Sequence, residues 1–338
     1  MPSQGLPVVV PEHSLGPTAD GVRRRRRPPQ GGRLPTPTPG PAPPRALILL
    51  LPVDLDLGLD PGLSALRPLG GFSVLRTSRP PSPPRRPAAA APLAHAYALG
   101  HGNALAPAHA LGDGTAAGPG DGVPEAGVPV EADPLDFRVR KVAAALGTAE
   151  TRVAASVAHQ GLAARLWSVT LACAALYGAV PGLDPRLLCW DSDATAPDDL
   201  WLTEVHPLPG DAATVADVVL TAHLAPLTAA VRTRYGVAAG LLWGNAASAL
   251  AGAGRELDRW ARRHGRTDTA TRARSLTADL FAHPLLAATG ALAAAPDISF
   301  RRRSCCLYYR VPGAGVCGDC CFSRPPGLPR SSPGARSG

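Results

Sequence analysis

The sequence predicts an α+β fold: a mainly helical body with a small sheet, a loop-rich cysteine module at its C-terminal end, and a disordered N-terminal stretch rich in proline and arginine. Three observations predict it. Long segments between residues 148 and 282 repeat apolar residues at helical spacing, short apolar runs near 187 and 200 have strand character, and five of the seven cysteines fall within residues 301–326.

The 338 residues are unevenly composed. Residues 1–93 hold 21 of the 39 prolines, the run Arg23 to Arg27 and the repeats "PTPTPGPAPP" and "PPSPPRRP", with no sustained period. Such sequence is read as disordered or extended, because it offers too little apolar surface to offset the entropy of ordering the chain. Residues 94–299 are expected to form the folded body, 300–325 the cysteine module, and 326–338 a disordered tail. One lysine, Lys141, stands against 33 arginines amid abundant alanine. That usage suits a GC-rich bacterial genome, where a reading frame is easily extended too far upstream, and residues 1–93 are read partly in that light.

The formal net charge of +8 is a poor guide to partners. It divides into +7 for residues 1–93, −5 for 94–300 and +6 for 301–338. A basic groove for nucleic acid is therefore not expected, and the arginine tracts read as solvated low-complexity sequence. No apolar stretch reaches the roughly 18 residues of a membrane span. "ALILLLPV" (46–53) is short, is interrupted by Pro52 and makes a poor secretory core. The expected setting is the cytoplasm, with a peripheral station at the inner face of the membrane as its variant. In that compartment clustered cysteines are metal ligands more often than disulfides.

Within the body, 94–122 reads as loop or weak helix, and its His95, His101 and His109 are too loosely spaced for a metal site. Residues 148–180 form the strongest helix candidate. Val153, Val157, Leu162, Leu166, Val169 and Cys173 share a face, Thr148 can cap the start, Gly182 follows the end, and Gly161 is a candidate break. "LLCW" (187–190) and "LWLTEV" (200–205) read as strands joined by an acidic loop carrying Asp191, Asp193, Asp198 and Asp199. This loop lacks the glycine and terminal glutamate of a calcium loop and reads as a solvated turn. Further helices are expected near 213–234, with Pro226 as a kink, at 238–263 and at 268–282. Cys173 and Cys189 lie in apolar settings and read as buried thiols, and His159 and His206 as structural histidines.

The cysteine stretch, "RRRSCCLYYRVPGAGVCGDCC", places Cys305 and Cys306 side by side, then ten residues, Cys317, two residues, Cys320, and Cys321 directly after. Cys317-Gly-Asp-Cys320 is a tight chelating turn, and Pro312-Gly313 supplies a bend that folds the two pairs together. Zinc and iron–sulfur clusters both take four cysteines. Adjacent cysteines tend to point apart, which suits a two-iron cluster better than one small tetrahedral ion. Spacing alone leaves iron–sulfur, zinc and disulfides or free thiols all open.

The pattern is similar to the C-terminal signature of the FhuF-like ferric siderophore reductases. The stretches "RVAASVAHQGLAARLWS" (152–168), "LWLTEVHPLPG" (200–210), "LLWGNAASALAG" (241–252) and "FRRRSCCLYYRVPGAGVCGDCC" (300–321) resemble the (2Fe–2S)-binding members found in actinobacteria. The resemblance covers roughly 94–325. It implies a [2Fe–2S] cofactor held by Cys305, Cys306, Cys317 and Cys320, with Cys321 as a substitute for Cys320. Residues 1–93 have no counterpart in the family pattern.

The implied function is an oxidoreductase that passes one electron to a ferric siderophore, of hydroxamate type by expectation, and so releases iron(II). The alternative is a non-catalytic zinc- or cluster-stapled accessory protein that binds siderophore or senses iron. "GHGNAL" (100–105) and "GAGREL" (252–257) each lack the third glycine of a dinucleotide fingerprint. Electrons are then expected from a separate ferredoxin or flavin-linked reductase. Arg301, Arg302, Arg303, Arg310 and Arg324 surround the cysteines and are candidates to offset cluster charge or to dock donor or chelate. Tyr308 and Tyr309 could shield the cluster. Trp243 and Asn245, flanking Gly244, are weaker candidates to line a siderophore pocket.

Overall fold

The computed structural model describes residues 63, 65–77, 90–98 and 133–326. The arginine run, the 46–53 segment, His101, His109, "GHGNAL" and the tail from 327 lie outside them.

The elements run β1 (Arg76–Thr77), β2 (Ala90–Pro92), α1 (Leu93–Tyr97), α2 (Pro134–Leu146) and α3 (Thr151–Tyr177). Four strands follow: β3 (Ala179–Pro181), β4 (Leu188–Asp191), β5 (Leu200–Leu202) and β6 (Pro207–Pro209). Then come α4 (Ala212–Tyr235), α5 (Ala239–Arg263), α6 (Thr267–Phe281), α7 (Pro284–Ala287) and the hairpin β7 (Gly290–Ala293) and β8 (Ser299–Arg302).

Helix α3 is the axis of the body. It is buried on most of its circumference, with Val153, Leu166, Trp167, Val169, Leu171 and Cys173 all at most 1 % exposed, as expected of a helix apolar on nearly every side. It packs against α2, α4, α5 and α6, and the Trp167 indole donates to the Ala246 carbonyl of α5 at 3.1 Å. Gly161 does not split it: that residue faces solvent, where a missing side chain costs helix propensity but no packing. The helix ends at Gly178, whose φ of 69° is the left-handed cap that glycine adopts without steric penalty.

Helix α4 covers the run expected near 213–234. Its irregularity spreads ahead of Pro226 as a π-helical stretch, Asp217–Leu224, which absorbs the backbone amide that proline lacks. By length and composition α4 could cross a membrane, but 61 % of its most apolar window is buried, and Val215, Val219, Leu220, Leu224, Leu227 and Val231 lie in the core. "GAGREL" lies inside α5, with Gly254 facing Thr277, so it forms no phosphate loop.

The body extends upstream of the expected boundary at residue 94. The main sheet has the order β1-β5-β4-β2, so two of its four strands precede that residue. Strand β1 runs parallel to β5, and β2 antiparallel to β4. Leu63, Leu66, Leu75 and Leu93 are at most 3 % exposed. The buried Arg165 of α3 supplies the tie: it donates to the carbonyls of Gly71, Phe72 and Val74 and pairs with Asp199 at 2.9 Å. Proline density masked these leucines in the sequence.

The acidic loop is held by the protein's own groups. Asp191 accepts from the amides of Asp193 and Ala194, Asp193 pairs with Lys141, Asp198 with Arg76, and Asp199 with Arg165. Cys173 and Cys189 are buried as expected, and His95 and His206 are exposed, the latter beside Glu204.

Candidate metal centre

The cysteine module leaves the β7–β8 hairpin and lies against α3 and α5. The hairpin is antiparallel with Leu292 opposite Phe300, and Phe300 packs on Phe281 with ring centroids 5.0 Å apart. Gly290 is required here, because a Cβ would come within 2.3 Å of the Arg301 carbonyl.

Two buried networks fix the module to the helices. On the side of the adjacent cysteines, the Ser156 hydroxyl of α3 donates to the Cys306 carbonyl at 2.8 Å. The Asn245 amide of α5 donates to the Ser156 hydroxyl and carbonyl, each at 2.9 Å. Arg302 completes the network, donating from Nη2 to Asn245 Oδ1 at 2.6 Å and to the Leu241 carbonyl at 3.1 Å, and from Nε to the Ser304 carbonyl at 3.1 Å. Gly244 makes the close approach feasible, since a Cβ would stand 2.6 Å from Ser304 Oγ and 3.0 Å from Arg302 Nη2.

On the other side, Asp319 inside the Cys317–Cys320 turn is 7 % exposed. Its carboxylate accepts from Ser248 Oγ at 2.6 Å and from Arg255 at 2.9 Å, and its carbonyl accepts from the Arg302 amide at 2.9 Å. The backbone of Arg302 thus holds one cysteine pair while its side chain holds the loop bearing the other.

The two cysteine pairs meet at Cys306 and Cys317. Cys306 is buried and the other four cysteines of the module are half-buried. Cys306 and Cys317 approach to 3.4 Å between sulfurs. Their shared hydrogen bond, with help from the Arg302 charge and against burial, holds the Cys306 thiol down and pushes Cys317 up. Burial raises Cys305 to about 11. Main-chain amides are aimed at two sulfurs: Leu307 donates to Cys305 Sγ at 3.3 Å and Phe322 to Cys320 Sγ at 3.4 Å. Leu307 takes a φ of 69°, a conformation uncommon for a non-glycine residue. No three ligand side chains converge on one ion-sized point among the described residues.

Residues 302–322 match the family model of the FhuF 2Fe-2S C-terminal domain. The FhuF module indicates a [2Fe–2S] cluster as the cofactor of this segment. No curated protein matches the chain.

The residues of the FhuF module fit such a group on three counts. Sulfurs of the two cysteine pairs come together, Cys306 and Cys317 at 3.4 Å. Two of the sulfurs already accept amide hydrogen bonds, the contacts that stabilise thiolate sulfur in iron–sulfur sites. Finally, Arg302 Nη1 is buried and, among the described residues, without a hydrogen-bond partner, on a guanidinium that also holds the Ser304 carbonyl next to Cys305.

The docking candidates separate. Arg301, Arg303, Arg310 and Arg324 are exposed around the FhuF module, with Arg310 paired to Glu150 at 3.0 Å and Arg301 donating to the Cys321 carbonyl at 3.3 Å. Arg302 and Asn245 do not belong with them, because at 2 % and 0 % exposure neither can touch a docked molecule. Trp243 is half-buried against the core. Tyr308 and Tyr309 are half-buried, Tyr309 edge-on to Phe322 at 5.8 Å. Sequence reasoning missed Ser156, Ser248, Arg255 and Asp319. Asp319 alone left a signal, as the single acid among residues 301–338.

Proposed function

We propose that the chain is a [2Fe–2S] ferric-siderophore reductase of the cytoplasm, with Cys305, Cys306, Cys317 and Cys320 as ligands. The observation that carries the reading is the FhuF match on a segment whose two cysteine pairs are drawn together by Arg302 and Asp319. The amide of Phe322 on Cys320 favours Cys320 over Cys321 as the fourth ligand. When bound, a [2Fe–2S] group supplies one electron at a time.

The chain's own residues set the conditions. Ser156, Asn245 and Asp319 hold the ligand loops rigidly, so little rearrangement accompanies a change of charge. The half-buried sulfurs leave the site near the surface, where donor and acceptor can approach. Exposed Arg301, Arg303 and Arg324 form a positive rim that attracts an acidic donor or an anionic chelate. Held by Cys305, Cys306, Cys317 and Cys320, the group would supply the electron that takes the acceptor's iron(III) to iron(II), the electron itself coming from an external ferredoxin or flavin-linked reductase. Oxygen chelators such as hydroxamates hold the softer iron(II) more weakly, and iron is released. No feature of the described residues supports a station at the inner face of the membrane.

Protein reduced by one electron and mixed with a ferric hydroxamate in the presence of a ferrous trap tests this. Colour at the rate of protein oxidation supports reduction. Binding without colour over many minutes favours the siderophore-binding accessory reading.

A further inference from the structure

We propose that Arg302 is the buried counter-charge of the cluster and favours its one-electron-reduced form. The inference rests on the [2Fe–2S] reading of the module.

Arg302 is 2 % exposed and, among the described residues, forms no ion pair. The one acid at hand, Asp319, accepts the Arg302 backbone amide on its carbonyl but gives its carboxylate to Arg255 and Ser248. The guanidinium has only neutral acceptors: the carbonyls of Leu241 and Ser304 and the amide oxygen of Asn245. Among the described residues Nη1 has no hydrogen-bond partner. A buried cation with a vacant donor is destabilising unless an anion meets it.

The anions its placement offers Arg302 are the cysteine sulfurs: its Nε donates to the Ser304 carbonyl, directly before Cys305, and its amide to the Asp319 carbonyl, directly before Cys320. A cluster on four thiolates is anionic, and one electron from an external reductant adds a further negative charge with no bond broken. A fixed positive charge in a water-poor setting therefore stabilises the reduced form more than the oxidised one. The exposed Arg301 and Arg303 are screened by solvent and salt and contribute far less. Asn245, Leu241 and Ser304 position the guanidinium, and Gly244 leaves room for it.

The test compares the purified holoprotein with its Arg302→Gln, Arg302→Lys and Arg301→Gln variants, in mediated redox titrations followed by visible absorption and electron paramagnetic resonance. Iron and sulfide contents are measured first. Arg302→Gln is expected to lower the equilibrium constant for reduction tenfold or more, which is about 59 mV for one electron. Arg302→Lys, which keeps the charge, and Arg301→Gln are expected within threefold of the parent. An Arg302→Gln variant with full iron and sulfide and an unmoved constant overturns the proposal. If that variant does not fold, Arg302→Lys decides, because a tenfold fall with the charge retained also overturns it. Parent protein carrying zinc in place of iron and sulfide overturns the functional reading and this inference together.

Discussion

The Ser156 hydroxyl, on the central helix, donates a 2.8 Å hydrogen bond to the carbonyl of Cys306, 150 residues further along the chain. Through it the adjacent cysteines are seated on the helix around which the body packs. Ser156→Ala leaves that carbonyl buried and unpaired and removes an acceptor from Asn245, a loss of about 1–3 kcal/mol. The variant is expected to melt several degrees lower and to bleach faster under chelator challenge. Thermal unfolding and visible absorption, run in parallel, check both effects.

Replacing Cys320 and Cys321 singly by serine separates the neighbours. Cys320 receives the Phe322 amide, so Cys320→Ser is expected to lose the visible absorption and most of the bound iron. Cys321→Ser is expected to retain both. Iron and sulfide analysis of the two variants reads the outcome, and the opposite pattern would make Cys321 the ligand.

Much of this architecture was legible in the sequence. Long helical periods placed α3, α5 and α6 within a few residues, because each has enough turns for its apolar face to declare itself, and "LLCW" and "LWLTEV" paired as β4 and β5. The cysteine spacing left iron–sulfur, zinc and disulfides or free thiols open, and the cofactor was legible through the family resemblance of the whole motif. The anchors were not legible. Ser156, Asn245, Arg302 and Asp319 meet only through tertiary packing, and the local signal that sets the buried Arg302 apart from Arg301 and Arg303 is the alternation along the four-residue β8, which turns Phe300 and Arg302 inward. The upstream strands were missed because they are only two or three residues long and lie among prolines.

Those upstream segments carry a stability prediction. Arg165 holds the carbonyls of Gly71 and Val74, and its pair with Asp199 is buried. Arg165→Met strands the Asp199 carboxylate, at about 3–5 kcal/mol. A chain begun at residue 94 loses four buried leucines as well and is expected to be less stable still. Urea unfolding followed by circular dichroism is expected to rank parent above Arg165→Met above the truncated chain. Equal midpoints would show that the upstream packing contributes nothing.

Acid destabilises the body through two buried histidines. Burial holds His159 down to about 3, with Arg302 adding to the effect, and holds His223 down to about 4 against its hydrogen bond to the Leu183 carbonyl. Both ordinarily titrate near 6.5. Between 6.5 and those folded values the unfolded chain binds protons that the folded chain refuses, so stability is full above 6.5 and falls with pH. The slope approaches about 1.4 kcal/mol per pH unit for each histidine. Urea midpoints from pH 7.5 to 5 are expected to decline, and His159→Gln or His223→Gln to flatten the decline.

The cluster itself is tested most directly by the composition and paramagnetism of the protein purified without oxygen. The account predicts a red-brown protein with equal amounts of iron and acid-labile sulfide, two of each per chain as a [2Fe–2S] group requires, and a paramagnetic signal that appears on uptake of one electron. A colourless protein with one zinc per chain and no sulfide would contradict it.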